Sequence, residues 1–398
     1  MPSALPLGLS WNQDFILEPL SLDEKSFHAY VHIPFCTVRC GYCDFNTYAP
    51  KETTAEQSSF DSHLVKEIKN SAEFLTRSGL KLPKLRSVFF GGGTPSLFTP
   101  TQFRNILSAL EDHFGIEDAA EITTEANPES TTREFLEGVT AAGVNRISMG
   151  VQSFDTKVLE VLDRAHTAEK VRELIPVAKD LGLETSIDLI YGAPFEDLDS
   201  WKGSVENALE LRTGHISAYS LIVEPGTKLE RLIRTGALPE VDEDLNAQKY
   251  EFASSAFEGA KLGWYEVSNW GKPSVHNRAY WSSQNWWGFG PGSHSHLFGH
   301  RFWNQKHPVK YSQALDSGLA VAGREELSDR QMLEERLMLG LRTADGVPRE
   351  LFGSLGISTS LVAKQIGLGL LTLEGDRVLV TKAGRLLVDR LVVDFLSE

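Results

Sequence analysis

Between Tyr30 and Ile222, six short apolar runs alternate with helical stretches, and this rhythm restricts the fold of the 398-residue chain more than any other feature. The runs are Tyr30 to Phe35, Ser87 to Phe90, Glu121 to Glu125, Arg146 to Val151, Ser186 to Tyr191 and His215 to Ile222. Amphipathic helices are predicted near Phe60 to Leu75, Thr101 to Phe114 and Arg133 to Ala142, and a helical stretch precedes each of the last two runs. Parallel neighbours need a crossover, usually a helix, so the alternation predicts an α/β fold with a parallel sheet.

Parallel α/β folds collect ligands at the carboxyl ends of their strands. Here Cys36 to Cys43 follows the first run, Gly91-Gly-Gly-Thr-Pro95 the second, Glu125-Ala-Asn-Pro128 the third, Gln152 the fourth and Asp188 the fifth. A glycine run alone is most often a tight turn, and a single strand-end Glu, Gln or Asp is most often a cap or a solvated residue. Five such placements at one end of one sheet point to a site, because curling the sheet into a partial barrel brings them to one mouth.

Cys36, Cys40 and Cys43 are the only cysteines. A disulfide framework is disfavoured by the odd count and by the absence of a visible secretory signal. Three thiolates cannot close a four-coordinate structural metal site. A [4Fe–4S] cluster held at three corners would leave one iron open to a ligand. On spacing alone, a zinc site completed by His32 or a distant histidine stays open as well.

Formal net charge is 39 − 54 = −15, which disfavours a dedicated nucleic-acid binder, since phosphate contacts need a basic face. The first residues lack a basic n-region and no apolar run approaches the length of a membrane span, so a cytoplasmic location is expected. Towards the C-terminus, helices are predicted over Asp329 to Arg342, Ser358 to Gly367 and Arg385 to Phe395. A hairpin over Leu370 to Thr381 turns at Glu374-Gly-Asp376. That order looks like a winged helix, but from Val321 onward ten Lys and Arg face twelve Asp and Glu. Packing or partner contact, rather than DNA, is therefore expected of it.

Cys-x3-Cys-x2-Cys after a first strand, with Gly-Gly-Gly-Thr-Pro after a second, resembles the radical S-adenosylmethionine (SAM) superfamily. Tyr30-Val-His-Ile-Pro-Phe-Cys36, Ser148-Met-Gly-Val-Gln-Ser-Phe154, Ile187-Asp-Leu-Ile-Tyr-Gly192 and His215-Ile-Ser-Ala-Tyr-Ser-Leu221 narrow the likeness to oxygen-independent coproporphyrinogen III oxidases and their relatives. The resemblance implies a partial (β/α)6, TIM-like radical SAM barrel with a C-terminal accessory region ending in a small winged-helix-like domain. The expected division is an N-terminal extension over 1–28, the barrel over 29–235, a linking region over 236–322 and the C-terminal domain over 323–398. It further implies that Cys36, Cys40 and Cys43 hold a [4Fe–4S] cluster. SAM would be bound by Tyr30, Tyr42, Gly92, Gly93, Thr94, Glu125, Gln152, Arg164 and Asp188.

Two departures separate the chain from the true oxidases. Phe45 stands where they carry a further cysteine, and the 29 residues before Tyr30 lack their Arg-Tyr-Thr-Ser-Tyr-Pro type of segment. Conversely, His276-Asn-Arg-Ala-Tyr-Trp281 is similar to the His-Asn-x-x-Tyr-Trp signature of the HemW-type haem chaperones. The implied function is haem binding and delivery to an acceptor protein, with His276, Asn277, Tyr280 and Trp281 as haem contacts and membrane association only through acceptors. His294 and His296 are rival axial ligands, and oxidation of a porphyrinogen is the alternative activity. From residue types alone, the favoured reading of Trp281, Trp286, Trp287 and Phe289 is an aromatic cluster packing this region against the barrel, with His276 merely hydrogen-bonded; the resemblance reverses that order for the motif.

Overall fold

The computed structural model describes residues 8–20 and 25–397. Residues 1–7, 21–24 and 398 lie outside the described residues, so the N-terminal extension is described only in part. The first half is a repeated strand-and-helix unit: β1 Phe27–Ile33, α1 Asp61–Arg77, β2 Leu85–Gly92, α2 Pro100–Phe114, β3 Ile116–Ala126, α3 Arg133–Ala142 and β4 Arg146–Gln152. It continues through α4 Thr156–Val161, α5 Ala168–Asp180, β5 Glu184–Tyr191, α6 Leu198–Glu210, β6 His215–Ser220, α7 Lys228–Arg234 and α8 Glu243–Gly259.

β1 to β6 pair in chain order, all parallel. Six of the seven β1 residues are buried, as befits a parallel strand covered on both faces. β1 ends two residues earlier than expected because Pro34 has no amide to continue the ladder. Local signals set the helix starts: Thr99 and Gln102 form a reciprocal capping box on α2, and Asp197 caps α6.

The stretch after α8 extends both edges of this same sheet. β7 Trp264–Glu266 and β8 Asn269–Gly271 add antiparallel strands beyond β6, and a short helix, α9 Val275–Trp281, follows. The chain then returns to the opposite edge, where β9 Asn285–Phe289 runs parallel to β1. β10 His294–Leu297, β11 His300–Asn304 and, after α10 Pro308–Ala314, β12 Val321–Glu326 continue from it antiparallel. Among the described residues the result is one twelve-stranded sheet with the parallel six at its centre.

The C-terminal unit comprises α11 Asp329–Gly340, β13 Val347–Pro348, α12 Glu350–Leu355, α13 Thr359–Gly367, β14 Leu371–Glu374, β15 Arg377–Val380 and α14 Val388–Leu396. Its small antiparallel sheet and helices enclose a separate core of Leu337, Val347, Phe352, Val378, Leu391 and Phe395, the winged-helix-like arrangement expected. Arg385 seats it on the barrel side, lying 4.1 Å above the Trp264 ring and paired with Glu258. Among the described residues no helix is long and apolar enough to cross a membrane.

Candidate functional site

Cys36 follows β1 in a loop pinned from several sides. Its amide donates to Tyr48 O at 3.1 Å, and Leu229 N at the start of α7 donates to Gly41 O at 2.8 Å. Asn46 Nδ2 bonds Pro291 O and Lys306 O at 2.9 and 3.0 Å, fastening the loop to the turns beside β9 to β11. The three cysteines are free and only half-buried. Thr94 Oγ1 lies 3.6 Å from Cys36 Sγ and Arg164 Nη1 4.0 Å from Cys40 Sγ. Burial pushes all three thiols up, Cys43 to about 11, while Arg164 pulls Cys40 back towards the thiolate. Among the described residues no three or more His, Cys, Asp or Glu side chains converge to hold a single ion. His32 is spent elsewhere, with Nδ1 3.0 Å from Tyr30 Oη and Nε2 2.9 Å from Asn46 O. A zinc site completed by His32 therefore finds no support.

The glycine turn after β2 locks onto the same loop. Gly93 N donates to Ile33 O and Thr94 N to Phe35 O, each at 2.8 Å. A Cβ on Gly92, whose φ is +113°, would sit 2.5 Å from the His32 ring, and one on Gly93 2.5 Å from Phe35 O. These glycines thus allow close approach of β1 and its loop, a demand independent of any ligand.

Glu125 Oε2 accepts from Gly92 N at 3.0 Å. Burial, helped by the charge of Asp188, pushes the Glu125 carboxyl up to about 8. Asp188 accepts from Ser148 Oγ at 2.9 Å and from Ser217, yet burial raises it too. These two half-buried carboxyls, neither in an ion pair among the described residues and Asp188 eased by no cation but the more distant Arg146, suit hydroxyl or ammonium donors from a ligand. Gln152, at φ +64°, ends β4 with its side chain towards Gly150 and Asn127. Arg164 Nη2 donates to Asn127 Oδ1, Glu129 Oε2 and Gly150 O within 3.1 Å, while its buried Nε has no partner. Tyr42 packs beside it against Val158 and Leu162.

Free thiols after the first strand, a glycine turn at the end of the second, half-buried Glu125 near the end of the third and half-buried Asp188 within the fifth fit a [4Fe–4S] cluster and SAM. Asn127, Glu129, Ser148 and Ser217 were missed in the sequence. The clue lay in Asn127-Pro-Glu129, two residues after Glu125.

α9 is placed by Glu121 of β3, which accepts from Ser274 Oγ, Val275 N and His276 N at 2.9 to 3.1 Å. Its His-Asn-x-x-Tyr-Trp residues divide between two faces. His276 and Tyr280, four residues apart, enter the barrel, where His276 stacks on Phe89 and Tyr280 edges onto Trp286. His276 Nδ1 meets Ser87 Oγ at 2.7 Å and Nε2 meets Tyr280 Oη at 2.9 Å, and burial holds the ring neutral. Neither nitrogen is free, so the structure brings His276 together with barrel residues and offers no open ligand position on it. Asn277 and Trp281 face the other way: Asn277 Nδ2 bonds Tyr265 Oη and Glu266 Oε1 at 3.2 Å, and Trp281 lines a cavity of about 710 Å³ against α11. Trp287 and Phe289 belong to the core. His294 is exposed beside Trp303, whereas buried His296 stacks on Trp286 at 4.9 Å and lines the cavity.

The chain is similar to known proteins along most of its length. The Radical SAM superfamily model matches residues 30–208 and the HemN C-terminal domain residues 327–387. The haem chaperone HemW of Mycobacterium tuberculosis is 40% identical over 374 residues, 92% of this chain and 94% of its own. That of Bacillus subtilis is 32% identical over 93% of this chain and 99% of its own. Among solved structures, the coproporphyrinogen III oxidase HemN of Escherichia coli superposes with a TM-score of 0.79 over 94% of this chain and 90% of that one. At 22% identity this likeness shows the fold alone.

Proposed function

The chain belongs to the HemW family of radical SAM proteins, and from that premise we propose that it binds haem and passes it to an acceptor protein. In this reading Cys36, Cys40 and Cys43 hold a [4Fe–4S] cluster. Tyr30, Tyr42, Gly92, Gly93, Thr94, Glu125, Gln152, Arg164 and Asp188 surround SAM. When bound, cluster and SAM supply one-electron chemistry that side chains lack. Arg164 offsets thiolate charge at Cys40. Glu125 and Asp188 accept hydrogen bonds from ligand donors, and the apolar strands behind them exclude water.

The observation that carries the proposal is the two-faced α9. One short helix presents His276 and Tyr280 beneath the strand-end site and Trp281 to a cavity large enough for an organic ligand, with Asn277 bonded to Tyr265 and Glu266 of the cavity wall. Haem occupancy and the strand-end site would thereby share one rigid element. His276, Asn277, Tyr280 and Trp281 serve haem binding in this proposal, His276 and Tyr280 by positioning α9. The acceptor is a haem-requiring protein, and any membrane contact would come through it.

Phe45, 61% exposed beside the cysteine loop, supplies no further thiol and argues against oxidase activity. Incubation of the reconstituted protein with SAM, a strong reductant and coproporphyrinogen III tests this. The expected result is no protoporphyrinogen IX; stoichiometric formation of it would overturn the chaperone reading.

A further inference from the structure

We propose that haem occupies the cavity between the β9–β10 edge and α11, with His296 as its axial ligand. The proposal rests on the haem-binding reading above and gives it a location.

The cavity holds about 710 Å³ and is lined by Trp281, His296, Met332, Leu333, Arg336 and Arg278, among others. His296 is 2% exposed, yet neither ring nitrogen has a hydrogen-bond partner. Buried polar atoms are almost always paired, and leaving them unpaired is costly. Each of the other buried histidines among the described residues has at least one ring nitrogen hydrogen-bonded, although Nδ1 of His166 and of His300 is unpaired. His28 bonds Ser26 and Ser87, His32 bonds Tyr30 and Asn46, and His215 bonds Ser186 and Tyr265. His276 uses both nitrogens, His166 bonds Val151 O and His300 bonds Glu18 O. His296 is a neutral imidazole with both nitrogens unpaired and shielded, in a ring that lines the cavity, and a turn of that ring would present a nitrogen to an iron centre.

The surrounding chemistry selects a macrocyclic metal complex over a bare ion. Indole and aliphatic surface from Trp281 and Leu333 suits a flat apolar ring. Met332 contributes a soft thioether to the same lining, a second ligand type common to haem iron. Arg336, exposed at the rim, suits the carboxylates that such a ring carries. The cavity walls come from α9, β10 and α11, so haem there would touch the C-terminal unit and the signature helix together.

The test is an anaerobic titration of haemin into the reconstituted full-length protein, read by the Soret band, for wild type, His296→Gly, His294→Ala and Leu333→Trp. His296→Gly is expected to bind roughly tenfold more weakly or worse and to lose the histidine-ligated spectrum, with added imidazole restoring it. That rescue separates a lost ligand from a lost fold. Leu333→Trp, which fills the cavity from α11, should weaken binding, and His294→Ala should leave the spectrum unchanged. A wild-type spectrum and affinity in His296→Gly, or loss in His294→Ala alone, would overturn the assignment. No saturable binding by the wild type would overturn the haem reading itself, and this site with it.

Discussion

Gly92 and Glu125 show how single residues at the strand ends carry separate demands. Gly92 is held at a φ that side chains rarely adopt, with His32 in the space a Cβ would take. Gly92→Ala should therefore cost about 2 kcal/mol in urea unfolding, before any ligand is considered. Glu125 is fixed by one amide and has acceptor capacity left over, so Glu125→Ala should weaken SAM binding by about 1.5–3 kcal/mol with little change in melting temperature. Calorimetric titration of SAM into the reconstituted protein checks it. Each of Cys36→Ser, Cys40→Ser and Cys43→Ser should remove the visible cluster absorbance and bound iron while leaving the protein folded; iron at the wild-type level would contradict the ligand set. The cysteines, the glycine turn and Glu125, Gln152 and Asp188 were legible because each lies in or next to a recognisable strand, although Asp188 proves to sit within β5 rather than after it. Asn127, Glu129 and the seat of His276 were not, because their partners lie far off in sequence and only the curled sheet brings them close.

At the scale of elements, the central strands and helices were readable since each crossover imposes its own apolar period. The observed β2 and β3 run longer than expected at both ends, as tertiary pairing extends them over Leu85 and Ile116. β7 to β12 were not legible. They are short, lack crossover helices, and are rich in residues such as Trp286 and Trp287 that suit a helix or a strand equally. α9 illustrates what such a segment needs from elsewhere. Its first amides and Ser274 are met by Glu121 of β3, itself 4.0 Å from Arg146. Glu121→Ala should cost about 1–2 kcal/mol and reduce haem affinity by loosening α9; urea unfolding and haem titration of one variant measure both.

For the whole molecule, the buried carboxyl of Glu67 ties α1 to the far edge of the sheet. It accepts from Gly290 N at 2.7 Å, Asn304 Nδ2 at 2.6 Å and Tyr311 Oη at 2.6 Å. Burial nevertheless raises it to about 7, since all three partners are neutral. A carboxyl raised in the fold favours the native state fully below its ordinary value near 4.5 and loses that contribution as pH rises through about 7. Relative to Glu67→Gln, wild-type stability should therefore fall by about 3 kcal/mol between pH 4.5 and 7, measured as the difference between the two unfolding curves. A pH-independent difference would show that Glu67 is ionised throughout. With the β9 to β12 side of the sheet fastened to α1 in this way, and α9 held by Glu121 of β3, the cysteine loop and α9 share one framework around the site. The most direct test of that account is the haem bound per chain when the anaerobically reconstituted protein is titrated to saturation. One haem per chain is predicted, and the absence of a saturable endpoint would contradict it.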